Sequence, residues 1–167
     1  MINVLPLTAS DRIRVNLYND YCKELDLYDE HPVPGDGTRQ ALRYLRGQAG
    51  TRWIDIRCEK KIVGFLILFS ASFAGVMYSP HFIHICEAFV APEYRNRGLM
   101  SKAVEQALNG FEMDVTLEVF KKNPARDFWV SMLEKNGYEK IQCVTTVRND
   151  SLLSYRFRCK KSGLSEE

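Results

Sequence analysis

Between Ile62 and Pro80 the chain runs for 19 residues, IVGFLILFSASFAGVMYSP, without a formal charge. A run of that length suits either a bilayer, whose core takes about 20 apolar residues as a helix, or a protein interior closed on both sides. Gly64, Ser70, Ser72, Gly75 and Ser79 interrupt it, and strand-like segments flank it. A sheet strand covered on both faces has this near-continuous apolar pattern. The run therefore predicts a sheet with helices on both faces, and no membrane span is expected.

The rest of the pattern agrees. INVLPL (2–7) is a short first strand, and the segment after it carries Ile13, Leu17, Tyr21 and Leu25 at helical spacing, with Thr8 or Ser10 as N-cap. Asp29 to Gly37 is a loop, and TRQALRYLRG a second short helix. Ile54, Ile56 and Cys58 alternate with charges and turn near Glu59–Lys61 into the apolar strand, which makes a hairpin. HFIHICEAFV is a strand, and the next helix sets Met100, Val104, Ala107 or Leu108, and Phe111 on one face. DVTLEVF is a strand; NPARDFWVSMLEKNGY is a helix, with Pro124 in its first turn and Gly137 past its end. EKIQCVTTV and LLSYRFRCK are the last two strands. The order β-α-α-β-β-β-α-β-α-β-β is a mixed α/β sheet with helices on both faces. One domain over residues 1–160 is expected, with 161–167 a disordered tail.

Composition excludes several classes. A net charge of +2, with no basic block, gives no reason to expect nucleic-acid binding. The five cysteines, Cys22, Cys58, Cys86, Cys143 and Cys159, are odd in number and form no C-x-x-C pair. They argue against a disulfide framework or a metal site and are read as small buried hydrophobes in a reducing compartment. MINVLPLTASDR lacks a basic n-region, so a cytoplasmic location is expected.

The segment most informative about function is FVAPEYRNRGLMSKAVEQAL, Phe89 to Leu108. Pro92 cannot donate to a sheet ladder and holds Ala91 extended, so the strand frays there. Arg95 and Arg97 supply positive charge, and Gly98 removes a side chain where backbone must approach something closely. A helix start follows, with free N–H groups and a positive dipole end. Together these make a phosphate or pyrophosphate site, although no G-x-x-x-x-G-K-[ST] or G-x-G-x-x-G occurs. Solvated arginines at an ordinary strand–helix turn are the alternative.

Val90-Ala-Pro-Glu-Tyr-Arg-Asn-Arg-Gly-Leu resembles the acetyl-CoA-binding motif of the Gcn5-related N-acetyltransferases (GNAT), V-x-P-x-[FY]-[RQ]-x-x-G-x-[GA], with Met100 where glycine or alanine is usual. Leu117-Glu-Val followed by Asn123, the pair Gly137-Tyr138, and KKIVGFLIL are similar to further family elements, and the element order agrees. The resemblance implies a GNAT-like acyl-CoA N-acyltransferase fold with acetyl-CoA as co-substrate. The pyrophosphate would lie on the amides of Arg97 to Ser101, thus Gly98, Leu99 and Met100 as well, helped by Arg95 and Arg97. The pantetheine arm would pair with Phe89, Val90 and Ala91 as an added strand. The Val90 amide would face the thioester oxygen, and Asn123 would contact the pantetheine or its pyrophosphate end.

An amine of pKa about 10 must lose a proton before it attacks, which calls for a base near the thioester. His84 and Glu87 are the candidates. His84 shares strand parity with Cys86 and Val90; Glu87 lies on the other parity unless a bulge intervenes. The resemblance implies a bulge here, so parity leaves the choice open. A paired structural charge at Glu87 and a satisfied core histidine at His84 are the competing readings. The family's tyrosine acid on the fourth helix would fall at Val130 or Leu133, neither a tyrosine, and Trp129 has only an indole N–H to offer. A thiol of pKa about 8.5 leaves tolerably without help.

Glu24, Asp26, Asp29, Glu30 and Asp36, between the first two helices, are candidates for an acidic wall suited to a cationic amine, small molecule or peptide; a solvated acidic loop is the alternative. The expected function is N-acetyl transfer by direct attack in a ternary complex. A CoA-binding module without catalysis and a cofactor-free interaction domain are its rivals. The strongly alternating last strand is a candidate homodimer edge.

Overall fold

A computed structural model describes residues 7–48, 50–70, 82–147 and 149–160. The expected first strand falls almost wholly outside these residues, as do the tail and the second half of the uncharged run.

Helix α1 (Ala9–Leu25) starts at Thr8, which forms a capping box with Asp11. Helix α2 (Gly37–Leu45) starts at Asp36, whose carboxylate accepts from the Arg39 N–H at 3.0 Å. Strands β1 (Thr51–Cys58) and β2 (Lys61–Phe69) form the expected hairpin. Strand β3 (Phe82–Val90) leads through a single turn of 3-10 helix, Pro92–Tyr94, to helix α3 (Leu99–Leu108). Strand β4 (Asp114–Phe120), helix α4 (Ala125–Lys135) and strands β5 (Tyr138–Thr145) and β6 (Leu152–Cys159) complete the fold.

The six strands form one sheet in the order β1-β2-β3-β4-β6-β5; β3 and β4 run parallel and every other pair is antiparallel. Two apolar layers flank it. Helices α1 and α2 cover one face with Val15, Tyr18 and Ala41 against Phe65, Ile67 and Phe89. Helices α3 and α4 cover the other with Val104, Trp129 and Leu133 against Leu66, Ile85, Leu117 and Phe157. Strand β2 is buried on both faces from Val63 to Leu68, as its uncharged sequence requires. No helix among the described residues is long and apolar enough to cross a membrane.

Three details differ from the sequence reading. Helix α1 buries Val15 and Tyr18, while Ile13 is 44% exposed. Leu17 and Tyr21 of the expected stripe do pack on the sheet, beside Tyr18, whose ring stacks on Phe65 at 5.5 Å and meets Trp53 at 6.2 Å; the inward face is centred on Tyr18 and leaves Ile13 outside it. The last strand, β6, is not an edge: β4 and β5 flank it, so its alternation comes from having one buried face, and β5 is the outer strand. Phe111 lies beyond the end of α3. The five cysteines are all free; none is fully buried and Cys143 is exposed.

Candidate active site

The parallel pairing of β3 with β4 runs only from Phe82–Asp114 to Ile85–Leu117. At the next residue β3 bulges: Leu68 faces Ile85 and Ile67 faces Glu87, which leaves Cys86 unpaired on β2. A bulge bends and over-twists its strand, and here β3 and β4 splay apart. The gap is a cleft of about 650 Å³. Its walls are β3 from Ile85 to Val90, β4 from Leu117 to Phe120, the last turns of α1, and the first turns of α3 and α4.

The free side of β3 faces this cleft. Ala91 donates its N–H to the Val63 carbonyl of β2 at 2.9 Å. Strand alternation then turns the N–H and C=O of Val90 the other way, toward the gap. Arg95 marks that side: its Nε donates to the Val90 carbonyl at 2.8 Å, and its guanidinium lies over the Phe89 ring. Gly64, opposite Val90 on β2, allows the two strands to approach here; a Cβ on it would lie 2.3 Å from the Phe89 carbonyl oxygen.

At the turn before α3, Asn96 and Gly98 have φ of 60° and 71°. Gly98 is the N-cap of α3 and no side chain caps that helix, so the first amides lack an internal partner. A Cβ at Gly98 would enter open space, so the left-handed backbone, rather than a close contact, requires glycine here. Gly98, Leu99, Met100 and Ser101 all line the cleft, as do Phe89, Val90, Arg95 and Asn123. Asn123 spends its Oδ1 on the Ala125 N–H at 2.9 Å. Ala91 and Arg97 do not line the cleft: Ala91 packs beneath α1 and α2, and Arg97 is exposed over the Tyr94 ring with Nη2 on the Glu93 carbonyl.

The bulge also sorts the two base candidates. It reverses parity after Cys86, so His84 shares a face with Glu87 and Phe89 rather than with Val90. His84 lies outside the cleft lining, with Nδ1 2.9 Å from the Thr116 hydroxyl and its pKa lowered by burial. Glu87 lines the cleft and keeps partial exposure through it. Three tyrosine hydroxyls donate to its carboxylate: Tyr21 to Oε2 in a short bond, Tyr18 to Oε1 at 3.3 Å and Tyr44 to Oε1 at 3.4 Å. Burial raises the Glu87 pKa above the ordinary carboxylate value, and the three hydroxyls oppose that rise. The same carboxylate, added to burial, pushes Tyr21 well above a normal phenol and Tyr44 up to about 12. None of the tyrosines stood out in the sequence as a Glu87 partner, because the three donors lie 43 to 69 residues away along the chain.

The acidic loop is mostly structural. Asp36 caps α2, Asp26 ends α1, Glu30 pairs with Lys122 at 2.7 Å, and Asp29 accepts from the Asn149 side chain at 3.3 Å. These last two contacts tie the α1–α2 loop to the far end of β4 and to the β5–β6 turn. Of the five expected residues only Glu24 lines the cleft, paired with Arg95 at 2.5 Å. Glu118, not among the expected residues, joins it from the α1/α2 face of β4. Among the described residues, the charges lining the cleft are three carboxylates, Glu24, Glu87 and Glu118, and one guanidinium, Arg95. Val130 and Leu133 pack in the core beneath α4 and reach no part of the cleft.

Comparison with known proteins gives this geometry a context. A family model described as "Acetyltransferase (GNAT) family" matches residues 15–138. No curated protein sequence matches significantly. Among solved structures, an acetyltransferase from Thermus thermophilus is similar at a TM-score of 0.62 and 16% identity, over 92% of this chain and 94% of that one. A protein from Corynebacterium glutamicum described as histone acetyltransferase HPA2 and related acetyltransferase gives 0.64 at 11% identity, over 96% and 97%. A spermidine N-acetyltransferase chimera from Vibrio cholerae and hSSAT gives 0.58 at 18% identity, over 92% and 93%.

Proposed function

Because the chain belongs to the GNAT acetyltransferase family, we propose that it moves an acetyl group from acetyl-CoA to a primary amine by direct attack of the amine on the thioester. The observation that carries this reading is the splay of β3 from β4, which leaves the Val90 N–H facing the cleft beside the uncapped start of α3. The pantetheine arm lies along the free side of β3 as an added strand. Its pyrophosphate meets the amides of Gly98 to Ser101 and the helix dipole. The Val90 N–H then donates to the thioester oxygen as negative charge develops on it. Asn123, at the cleft wall, contacts the arm through its Nδ2.

Glu87 is the base. It lines the cleft, it is a stronger base than an ordinary carboxylate because burial raises its pKa, and His84 lies outside the lining. It takes a proton from the attacking nitrogen directly or through water. The acceptor carries positive charge in solution, small molecule or peptide alike, and the excess of carboxylates over arginine in the cleft draws it in.

The test is a product assay. Purified protein with acetyl-CoA and a panel of amines (1,4-diaminobutane, spermidine, a lysine peptide and a neutral amine such as benzylamine) yields an N-acetyl product by mass spectrometry, with the cationic members favoured. Selective acetyl-CoA binding without turnover of any amine would instead support a binding module.

A further inference from the structure

The acetyl-transfer reading asks the cleft to hold two ligands of opposite charge, a pyrophosphate at the start of α3 and an ammonium group near Glu87. Among the described residues Arg95 is the one cation that lines the cleft, because Arg97 lies outside it over the Tyr94 ring. Arg95 is bonded at both ends of its guanidinium. Its Nε donates to the Val90 carbonyl at 2.8 Å, and its Nη2 donates to Glu24 Oε2 at 2.5 Å.

Both partners belong to the two ligands' sites. The Val90 carbonyl lies on the free side of β3, along which the pantetheine arm is proposed to run. Glu24 stands one helical turn beyond Tyr21, on the same face of α1, and the Tyr21 hydroxyl donates to Glu87. Glu24 is therefore the carboxylate beside the base along α1, and Arg95 balances its charge. The pair is loosely held. Its side chains are 38% and 28% exposed, and ion pairs so open to water contribute little net stability. A pyrophosphate offers the same guanidinium a bidentate partner of higher charge. Arg95 precedes Gly98, the N-cap of α3, by three residues, and both line the cleft.

We propose that Arg95 couples the two halves of the cleft: a bound cofactor pyrophosphate draws the guanidinium off Glu24, and the freed Glu24 carboxylate binds the ammonium group of the acceptor. This rests on the acetyl-transfer reading and adds a second acceptor carboxylate, one whose availability depends on the cofactor. Without the exchange, Glu24 is a balanced charge that has little to offer a cation. With it, the cleft gains a carboxylate on the wall that also carries the base's hydrogen-bond partner. The exchange frees the Val90 carbonyl as well, so the pantetheine arm meets both polar groups of Val90 once its own pyrophosphate has docked. Cofactor and amine then bind with positive cooperativity, and by linkage each tightens the other by one common factor.

The experiment is titration calorimetry with CoA, which carries no acetyl group and so does not turn over, and the tightest-binding amine of the panel. In the parent, saturating CoA is expected to tighten the amine about tenfold, and saturating amine to tighten CoA by the same factor. Direct attraction between a polyanion and a cation in one cleft acts without Arg95, and two variants separate it from the exchange. Glu24→Gln and Glu118→Gln remove the same charge from the same cleft, but only Glu24 is bonded to Arg95. Glu24→Gln is expected to bind CoA several-fold more tightly than the parent, since the guanidinium is no longer held, and to cut the coupling below about threefold. Glu118→Gln is expected to weaken the amine yet keep the coupling within about twofold of the parent's. Glu24 is partly exposed, so its amide variant is expected to fold. A parental coupling below about threefold, a Glu24→Gln coupling equal to the parent's, or its loss in both variants overturns the proposal and leaves the acetyl-transfer reading standing. A crystal structure of the CoA complex in which Arg95 still pairs with Glu24 does the same. A parent that binds no CoA overturns both.

Discussion

Glu87→Gln separates catalysis from folding. The amide nearly preserves the side chain's volume, so the aromatic packing of Tyr18, Tyr21 and Phe65 is kept. Its oxygen takes the place of Oε1 and still accepts from Tyr18 and Tyr44, while its NH2 group falls opposite Tyr21, whose hydroxyl must turn and accept. One inverted hydrogen bond costs about 0.5–1.5 kcal/mol, and removal of a buried charge offsets it. The net change is expected within about 1 kcal/mol, a shift of roughly 2–4 °C in Tm for a chain of this length. Activity should respond far more. Loss of a positioned base is worth about 10²–10⁴ in kcat, or about 2.7–5.4 kcal/mol at 1.36 kcal/mol per decade.

The pH dependence has a defined sign. Burial raises the folded pKa of Glu87 above its ordinary 4.5, so the parent's kcat/KM should fall on the acid side at a pH higher than an exposed glutamate gives. That limb should vanish in the variant. In stability, the carboxyl's contribution is complete below 4.5 and is lost as pH rises through the folded pKa. The variant should therefore gain on the parent as pH increases. Steady-state rates with acetyl-CoA, paired with thermal melts across pH, read both effects. A variant that keeps more than a tenth of parental kcat, or that retains the acid limb, refutes Glu87 as the base.

Gly64→Val places a side chain against the Phe89 carbonyl, which a Cβ alone would approach to 2.3 Å. Overpacking of about 1–3 kcal/mol is expected, read as a lowered Tm, with weaker acetyl-CoA binding because Val90 moves with its strand. Arg95→Ala removes the tie between the Val90 carbonyl and Glu24. The pair is partly exposed, so stability should fall by no more than about 1 kcal/mol, while the acetyl-CoA dissociation constant, measured by calorimetry, should rise. Glu118→Gln should raise KM for a cationic amine several-fold with little effect on KM for acetyl-CoA, which a substrate-saturation series checks.

The sequence carried the sheet well, because burial on both faces leaves a mark in composition: Val63 to Leu68 has no polar side chain and lies at the centre of the fold. The turn from Val90 to Gly98 was legible for a similar reason, since proline, paired arginines and a left-handed glycine each answer a local backbone need. The choice between His84 and Glu87 was not. It depends on a bulge at Cys86, one extra residue that reverses every side chain after it, and nothing in HFIHICEAFV marks where it falls. The tyrosines around Glu87 were hidden because they are set by how α1 and α2 sit on the sheet. The centre of α1's inward face is set by Tyr18 against Phe65, a contact between residues 47 positions apart. In the acidic loop, charge alone left a substrate wall and a structural loop both open; Asp29, Glu30 and Asp36 serve as cap and struts through partners as distant as Lys122 and Asn149.

The proposed function requires the cleft between β3 and β4 to receive acetyl-CoA, with its pyrophosphate on the start of α3. A thermal-shift titration with acetyl-CoA, using ATP and NAD as controls, tests it most directly, run on the parent and on Gly98→Glu. A selective rise in Tm is expected for the parent, equivalent to about 2.7 kcal/mol at a hundredfold excess over the dissociation constant. No rise is expected for the variant, which loses the left-handed glycine and puts a carboxylate at the start of α3, where the pyrophosphate is proposed to lie. A parent whose Tm does not move at millimolar acetyl-CoA, or a variant that shifts as far as the parent, would contradict it.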